Sequence, residues 1–275
     1  MSPNVGVDGH AEWFKARLVA PATWAIDDHG QDTVYLVAGA ERCLLVDTGW
    51  GVGDLASLVA SLSSLPLLVV NSHGHPDHAC GNGQFREVHV GEADAWLVRD
   101  PLTEESRRWI AGNVLKGPLP PSFSPETWAT KAAETLVPIR DGHTFDLGGR
   151  TLQAIAVPGH TAGSLCLLDR EARYLLTGDS ALAGPVWMHL EESVPLRQFH
   201  ASLRRLLDIA EEFDWILPAH GPSPLPSKTL DELVAGVESI LDGRLVGSPH
   251  KTFAGDGLRC DFGSCGIVYR PDRLG

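Results

Sequence analysis

Apolar runs of four to eight residues, closed by Gly, Pro or a polar side chain, recur along the chain and read as buried strands. They fall at 13–20, 32–39, 41–49, 66–72, 86–90, 134–139, 143–149, 151–159, 164–169, 173–179 and 214–221, with one or two more expected in the tail. The runs at 164–169 and 173–179 are close enough to form a hairpin. Between the strands the period changes. Residues 52–62 have apolar spacings of three and four and read as a helix, and residues 91–100 read as another. A strongly amphipathic helix is predicted over 195–213, with Phe199, Leu203, Leu206, Leu207 and Ala210 on one face. Another is predicted over 227–245, with Ser227 as its cap. Residues 101–135 fit neither period. They mix helical patches with five prolines and carry Trp109, Phe123 and Trp128, and strand patterns resume directly afterwards. The segment reads as an insertion into one α/β domain spanning 1–275.

The ends of the strands carry the chemistry. "LLVDTG" runs out into Asp47, "LLVVNSHGHPDH" into a histidine cluster, "AVPGH" into His160, "LLTGD" into Asp179 and "ILPAH" into His220. Ligands of α/β folds bind in the crevice beyond the carboxyl ends of strands. Within the cluster, His73 and His75 lie two apart and can point the same way only from extended backbone. Pro76 keeps His75 out of helical geometry, and Asp77 and His78 then fall at the start of a short helical turn. Imidazole and carboxylate are the donor set for zinc, with iron and manganese as alternatives. Seven such residues, His73, His75, Asp77, His78, His160, Asp179 and His220, are too many for one zinc ion. They suit two that share the Asp179 carboxylate.

On these residues the chain resembles the metallo-β-lactamase-fold hydrolases, including the glyoxalase II-like branch. The His-x-His-x-Asp-His motif is His73 to His78, and His160, Asp179 and His220 follow in the family's order. The resemblance implies an α/β fold, an αββα sandwich, with two zinc ions per chain. It also implies a metal-bridging hydroxide that attacks a carbonyl, with Asp77 as the catalytic proton carrier and Asp47 as the carboxylate that orients the ligand cluster. Departures from particular branches narrow the substrate. Asp179 stands where true β-lactamases carry Cys or Ser, and His75 where di-iron flavoproteins carry Glu. Leu182 stands where a common type of lactonase has Tyr. No basic segment follows His220 as in glutathione-binding relatives, Lys228 being isolated. An ester, thioester or lactone hydrolase acting on a small, apolar substrate is the expectation. Trp24, Trp187 and His189 are expected to border its pocket, and residues 101–135, with Trp96, Trp109 and Trp128, to close over it as a lid. Two readings compete: a mononuclear iron persulfide dioxygenase holding its metal through His73, His160 and Asp179, and a non-catalytic metal-binding relative.

Charge and cysteine content limit the partners. A formal net charge of −13 from 22 basic and 35 acidic side chains disfavours nucleic acid and anionic membrane. A small-molecule substrate is expected instead, and a homodimer is compatible with the apolar "CGIVY" near the end. No apolar run approaches the roughly 18 residues that span a bilayer. The first residues lack the basic start and apolar core of a signal peptide, so a cytoplasmic location is expected. Five cysteines in no zinc-ribbon spacing read as free thiols, with a Cys260–Cys265 bond the lesser option. The remaining histidines, His10 and His29 among them, read as structural.

Overall fold

The computed structural model describes residues 13–275; His10 lies outside them. The chain divides into two compact units. One takes the chain up to Asn71 together with His75–His89 and Trp96–Val137, and the other takes Ser72–Gly74, Val90–Ala95 and Pro138–Gly275.

The first unit is built on a seven-stranded sheet in sequence order: β1 (Phe14–Ala20), β2 (Thr23–Asp28), β3 (Thr33–Ala38), β4 (Cys43–Val46), β5 (Leu67–Asn71), β6 (Glu87–Gly91) and β7 (Thr135–Ile139). The first four pair antiparallel through short turns. β4 and β5 pair parallel, which requires a crossover, and helix α1 (Leu55–Leu62) supplies it. Asp54 caps α1 by accepting the Ser57 amide, and Leu55 and Val59 face the core. That core gathers Ile26, Val34, Leu36, Leu45 and Val69, with Trp24 packed half-buried at its edge. A four-residue helix, α2 (Pro76–Ala79), follows β5, with Pro76 at its first position, where a missing N–H costs nothing.

The inserted segment contains α3 (Glu104–Asn113), capped by Thr103. Its Ile110 and Trp128 share a small core with Trp50, which follows β4, and Phe123 packs alongside. The Trp128 indole donates to the Trp50 carbonyl at 2.7 Å, and the Arg107 guanidinium donates to the carbonyls of Leu102, Pro125 and Glu126. Trp96 and Trp109 are exposed.

The second unit holds two sheets. One has the order β14-β13-β11-β10-β9-β8, from β8 (Thr144–Asp146), β9 (Thr151–Ala156), β10 (Leu165–Asp169), β11 (Tyr174–Gly178), β13 (Trp215–Pro218) and β14 (Leu225–Pro226). The expected β10–β11 hairpin is present. The other sheet has the order β12-β17-β16-β15, from β12 (Gly184–Met188), β15 (Ser248–Thr252), β16 (Gly255–Phe262) and β17 (Cys265–Tyr269). Helices α4 (Leu196–Leu207) and α5 (Thr229–Leu241) join a core with Phe199, Leu203, Leu206, Val237 and Ile267 fully buried. The expected apolar face of α4 is the buried one, though Leu207 and Ala210 sit at its margin.

Three expectations are corrected. Residues 91–100 form no α-helix, only a 3-10 turn over Glu92–Asp94 and further turns. The reason is Asp94, whose carboxylate is buried by hydrogen bonds to loop donors distant in sequence (below), so the chain turns to deliver it inward. Ser227 does not cap α5 with its hydroxyl; its carbonyl accepts the Leu230 amide, and Lys228 occupies the cap position. The tail supplies three strands, β15, β16 and β17. All five cysteines are free.

Candidate metal centre

In the first unit the site begins where β4 and β5 end. Asp47 leaves β4 with a left-handed backbone (φ 68°), a conformation Asp tolerates better than most side chains. Gly49 follows at φ 64°, and a Cβ there would stand 2.4 Å from the Asp28 carboxylate, so only glycine fits. This turn presents the Asp47 carboxylate to His78, whose Nδ1 lies 2.9 Å from Oδ2. A carboxylate can only accept, so Nδ1 donates and the Nε2 lone pair is left to act as a ligand. The backbone around His78 is pinned as well. Its carbonyl accepts from the Thr48 amide at 2.9 Å and from the Asn71 side-chain amide at 2.9 Å. Asn71 and Asn82 exchange side-chain amide bonds of 2.8 and 3.1 Å, and Thr48 donates to Asn82 at 2.8 Å. His78 Nε2 faces Asp77 Oδ2 at 3.7 Å, and His75 caps the same helical turn.

Electrostatics behind this turn are acidic. Burial pushes the Asp32 carboxyl well above the usual carboxylate range, and the neighbouring Asp28 adds to it. Burial also raises Asp28 itself, against hydrogen bonds from the Trp50 amide and the Trp13 indole. Cys80 sits beside these carboxylates, and burial drives its thiol far up, out of thiolate chemistry.

In the second unit, four more ligand-type residues sit on four loops. His73 Nδ1 is 3.1 Å from Ser72 Oγ, and its ring meets His160 edge-on at 4.8 Å between centroids. His160 Nδ1 donates to the Trp187 carbonyl at 2.6 Å, which again frees Nε2. That Nε2 faces Asp179 Oδ2 at 3.6 Å, and His220 Nε2 faces Asp179 Oδ1 at 3.4 Å. The loops are held by close backbone approach. A Cβ on Gly159 would strike the Phe199 ring of α4. The Ser193 and Ser202 hydroxyls donate to the carbonyls of His160 and Pro158, both at 2.8 Å. Gly178, at φ 49°, turns against Ser72, and the Ala219 amide donates to its carbonyl at 3.1 Å, which sets His220 next to Asp179.

Asp94 joins two of these loops. Its Oδ2 accepts the Gly74 amide at 2.9 Å and the Thr161 hydroxyl at 2.6 Å, and its Oδ1 accepts the Gly163 amide at 2.7 Å. Gly74 follows His73, and Thr161 follows His160. A carboxylate with three donors is fully engaged inside the protein. Sequence reasoning missed Asp94, Asn71 and Asn82, because a single polar residue carries no periodic signal; only the partners, distant in sequence, reveal it.

Three groups of side chains that could hold a metal ion are present among the described residues: His73, His75 and His160; His73, His78 and Asp179; and Asp77, His78 and His220. Within each group the ligand atoms all lie within 4.8 Å. The donor chemistry fits a cation. The Nε2–carboxylate separations of 3.4–3.7 Å at His78, His160 and His220 exceed an N–H···O hydrogen bond of about 2.7–3.2 Å. They match the roughly 3.3–3.6 Å between two ligands bound at about 2.0–2.2 Å to one tetrahedral ion. At His78 and His160 an Nε2 lone pair faces a carboxylate oxygen, an arrangement that repels until a cation lies between them. Of the expected pocket residues, Trp24 packs on the first unit's core. Trp187 and His189 neighbour each other in the second, with ring centroids 5.3 Å apart.

The model of the metallo-beta-lactamase superfamily matches residues 27–220, and the chain belongs to that superfamily. It is a hydrolase of the metallo-β-lactamase fold. Solved structures agree on the fold. A metallo-beta-lactamase from Pontibacter korlensis superimposes with a TM-score of 0.61 at 19% identity, covering 82% of this chain and 99% of that one. The DIM-1 metallo-beta-lactamase gives 0.58 at 14%, covering 82% and 98%. Among curated relatives, the acyl-coenzyme A thioesterase MBLAC2 of Gallus gallus is 26% identical over 227 residues, 76% of this chain and 81% of its own length. The atrochrysone carboxyl ACP thioesterase of Aspergillus fumigatus is 28% identical, covering 70% of this chain and 39% of that protein. The hydroxyacylglutathione hydrolase of Yersinia pestis is 27% identical, covering 65% and 58%. No helix among the described residues is long and apolar enough to cross a membrane.

Proposed function

We propose that the protein is a dinuclear metal-dependent thioesterase. It hydrolyses an acyl thioester of a carrier thiol of the coenzyme A, acyl-carrier or glutathione kind. His73, His75 and His160 hold one ion, Asp77, His78 and His220 the other, and Asp179 is shared. Zinc suits this nitrogen-rich set best, with iron and manganese able to use the same donors. When bound, such ions acidify water and polarise a carbonyl. The observation that carries the reading is the set of three Nε2–carboxylate spacings at metal-ligand distance.

The chain's own residues do the rest. Asp47 and the Trp187 carbonyl fix the tautomers of His78 and His160, so both present a lone pair without rearranging. Asp77, its side chain 24% exposed, is the carboxylate able to take the proton from attacking water. As the water oxygen bonds to the acyl carbon and the C–S bond breaks, Asp77 returns that proton to the departing thiolate. Acid and free thiol are the products.

The test is elemental analysis of protein purified without added metal, followed by a panel of thioesters, oxygen esters and lactones of one acyl group. About two zinc ions per chain and a clear preference for thioesters are expected. One iron per chain, with oxygen uptake on a persulfide and no hydrolysis, would replace this reading with the dioxygenase.

A further inference from the structure

Next to the Trp187 carbonyl that orients His160 lies a polar group that the chemistry above does not use. His189 follows β12 and is 3% exposed. Its Nε2 lies 2.9 Å from the Thr252 hydroxyl at the end of β15. The Thr252 hydroxyl donates its proton to the Gly255 carbonyl at 2.9 Å and accepts the Ala254 amide at 3.1 Å. With its proton on the Gly255 carbonyl, the hydroxyl accepts from His189; in that arrangement Nε2 bears the hydrogen and Nδ1 the lone pair. Nδ1 is buried and has no hydrogen-bond partner among the described residues. Burial and the nearby His250 lower the imidazole's proton affinity, outweighing Asp256, which favours the neutral ring. A buried acceptor without a donor is costly and rare.

Its surroundings are aromatic. The Trp187 ring meets His189 at 5.3 Å and 67°, and the Phe253 ring meets Trp187 at 5.3 Å and 60°. Phe253 occupies the tip of the β15–β16 hairpin and is 59% exposed. Trp187 is also the residue whose carbonyl orients His160. A buried acceptor flanked by aromatic rings therefore lies two residues along the chain from the carbonyl that orients His160.

We infer that His189 Nδ1, with Trp187 and Phe253, is the subsite for the thiol arm of the substrate, accepting a hydrogen bond from a secondary amide N–H while the rings cover the adjoining methylenes. The inference rests on the thioester reading and deepens it, since coenzyme A, acyl-carrier and glutathione thiols all carry secondary amides close to sulfur. The Phe253 ring shifts to admit the arm.

Two thioesters of the same acid provide the test: the S-(2-acetamidoethyl) and the S-(2-acetoxyethyl) compounds, which differ only by N–H against O. The wild-type protein is expected to show a KM about tenfold lower for the amide, the worth of one buried hydrogen bond. In His189→Leu that ratio falls to about one, with metal content unchanged. Phe253→Ala, at an exposed tip, raises KM for both compounds and keeps the amide preference. A wild-type ratio near one, or a ratio unchanged in His189→Leu, overturns the subsite. Direct binding separates the two proposals. The inert S-methyl thioether of N-acetylcysteamine should shift the His189 ring resonances in NMR titrations. A shift that saturates in a protein cleaving neither thioester would retain the subsite and discard the thioesterase. No shift would discard the subsite whatever the hydrolysis rates.

Discussion

Asp94 shows how a residue that touches no reacting atom can decide whether a metal site exists. It accepts from the residue after His73, the residue after His160, and Gly163. Replacing it with Asn keeps the shape but turns an NH2 group towards an N–H or hydroxyl donor, leaving a buried donor unmet at about 1–3 kcal/mol. The strain falls on the two loops that present imidazoles. Asp94→Asn should therefore weaken metal affinity by about tenfold to a hundredfold, as loss of outer hydrogen bonds typically does, measured by competition with a chromophoric zinc chelator. A variant that melts earlier yet binds metal as tightly as wild type would mark Asp94 as a stabiliser only. None of this was legible from the sequence. His73, His75, Asp77 and His78 announce themselves because four ligand-type residues within six positions are improbable as packing. Asp94 lies in a stretch that reads as a helix, and its importance exists only through partners 20, 67 and 69 residues away.

At the scale of elements, what was legible followed the strength of the local pattern. α4 was readable because its apolar face repeats over three turns, and the β10–β11 hairpin because two saturated apolar runs flank a short polar turn. β2 and β12 were not assigned. β2, "TWAIDD", has a broken alternation, and β12 opens on Gly184 and Pro185, which argue against a strand until the parallel pairing with β17 is seen. The inserted segment is legible as an excursion, but the core it shares with Trp50 is not. Its tryptophans divide by burial: Trp128 is 5% exposed and bonded to Trp50, whereas Trp109 is 45% exposed. Trp128→Ala should cost about 3–5 kcal/mol in denaturant unfolding, the usual toll of a large aromatic cut from a core. Trp109→Ala should change stability by less than about 0.5 kcal/mol. We propose that the segment closes over bound substrate, in which case Trp109→Ala raises KM for long-chain acyl thioesters and spares short ones. Equal KM values across chain lengths would reduce the segment to a structural staple.

At the scale of the whole molecule, the proposed ligands span the sequence from His73 to His220, carried on β5–α2, the turn after β9, the end of β11 and the end of β13. Unfolding scatters them, so metal binds the native state far better than the unfolded one, and its binding free energy becomes folding free energy. At free metal a thousandfold above the dissociation constant the gain is about 4 kcal/mol, which for a chain of this length corresponds to about 10 °C in melting temperature. The acidic clusters point the same way. Asp77 and Asp179 face the His78 and His160 lone pairs at 3.7 and 3.6 Å, so stripping the cation leaves like-signed atoms opposed in a largely buried setting. Dialysis against a strong chelator should lower the melting temperature by about 10 °C, and returning two equivalents of zinc should restore it. Restoration by a single equivalent would mean that one ion carries the fold and the other only the chemistry. An unchanged melting temperature with metal demonstrably removed would mean that these seven side chains are held in place by the protein alone, and the electrostatic reading of their spacing would have to be given up.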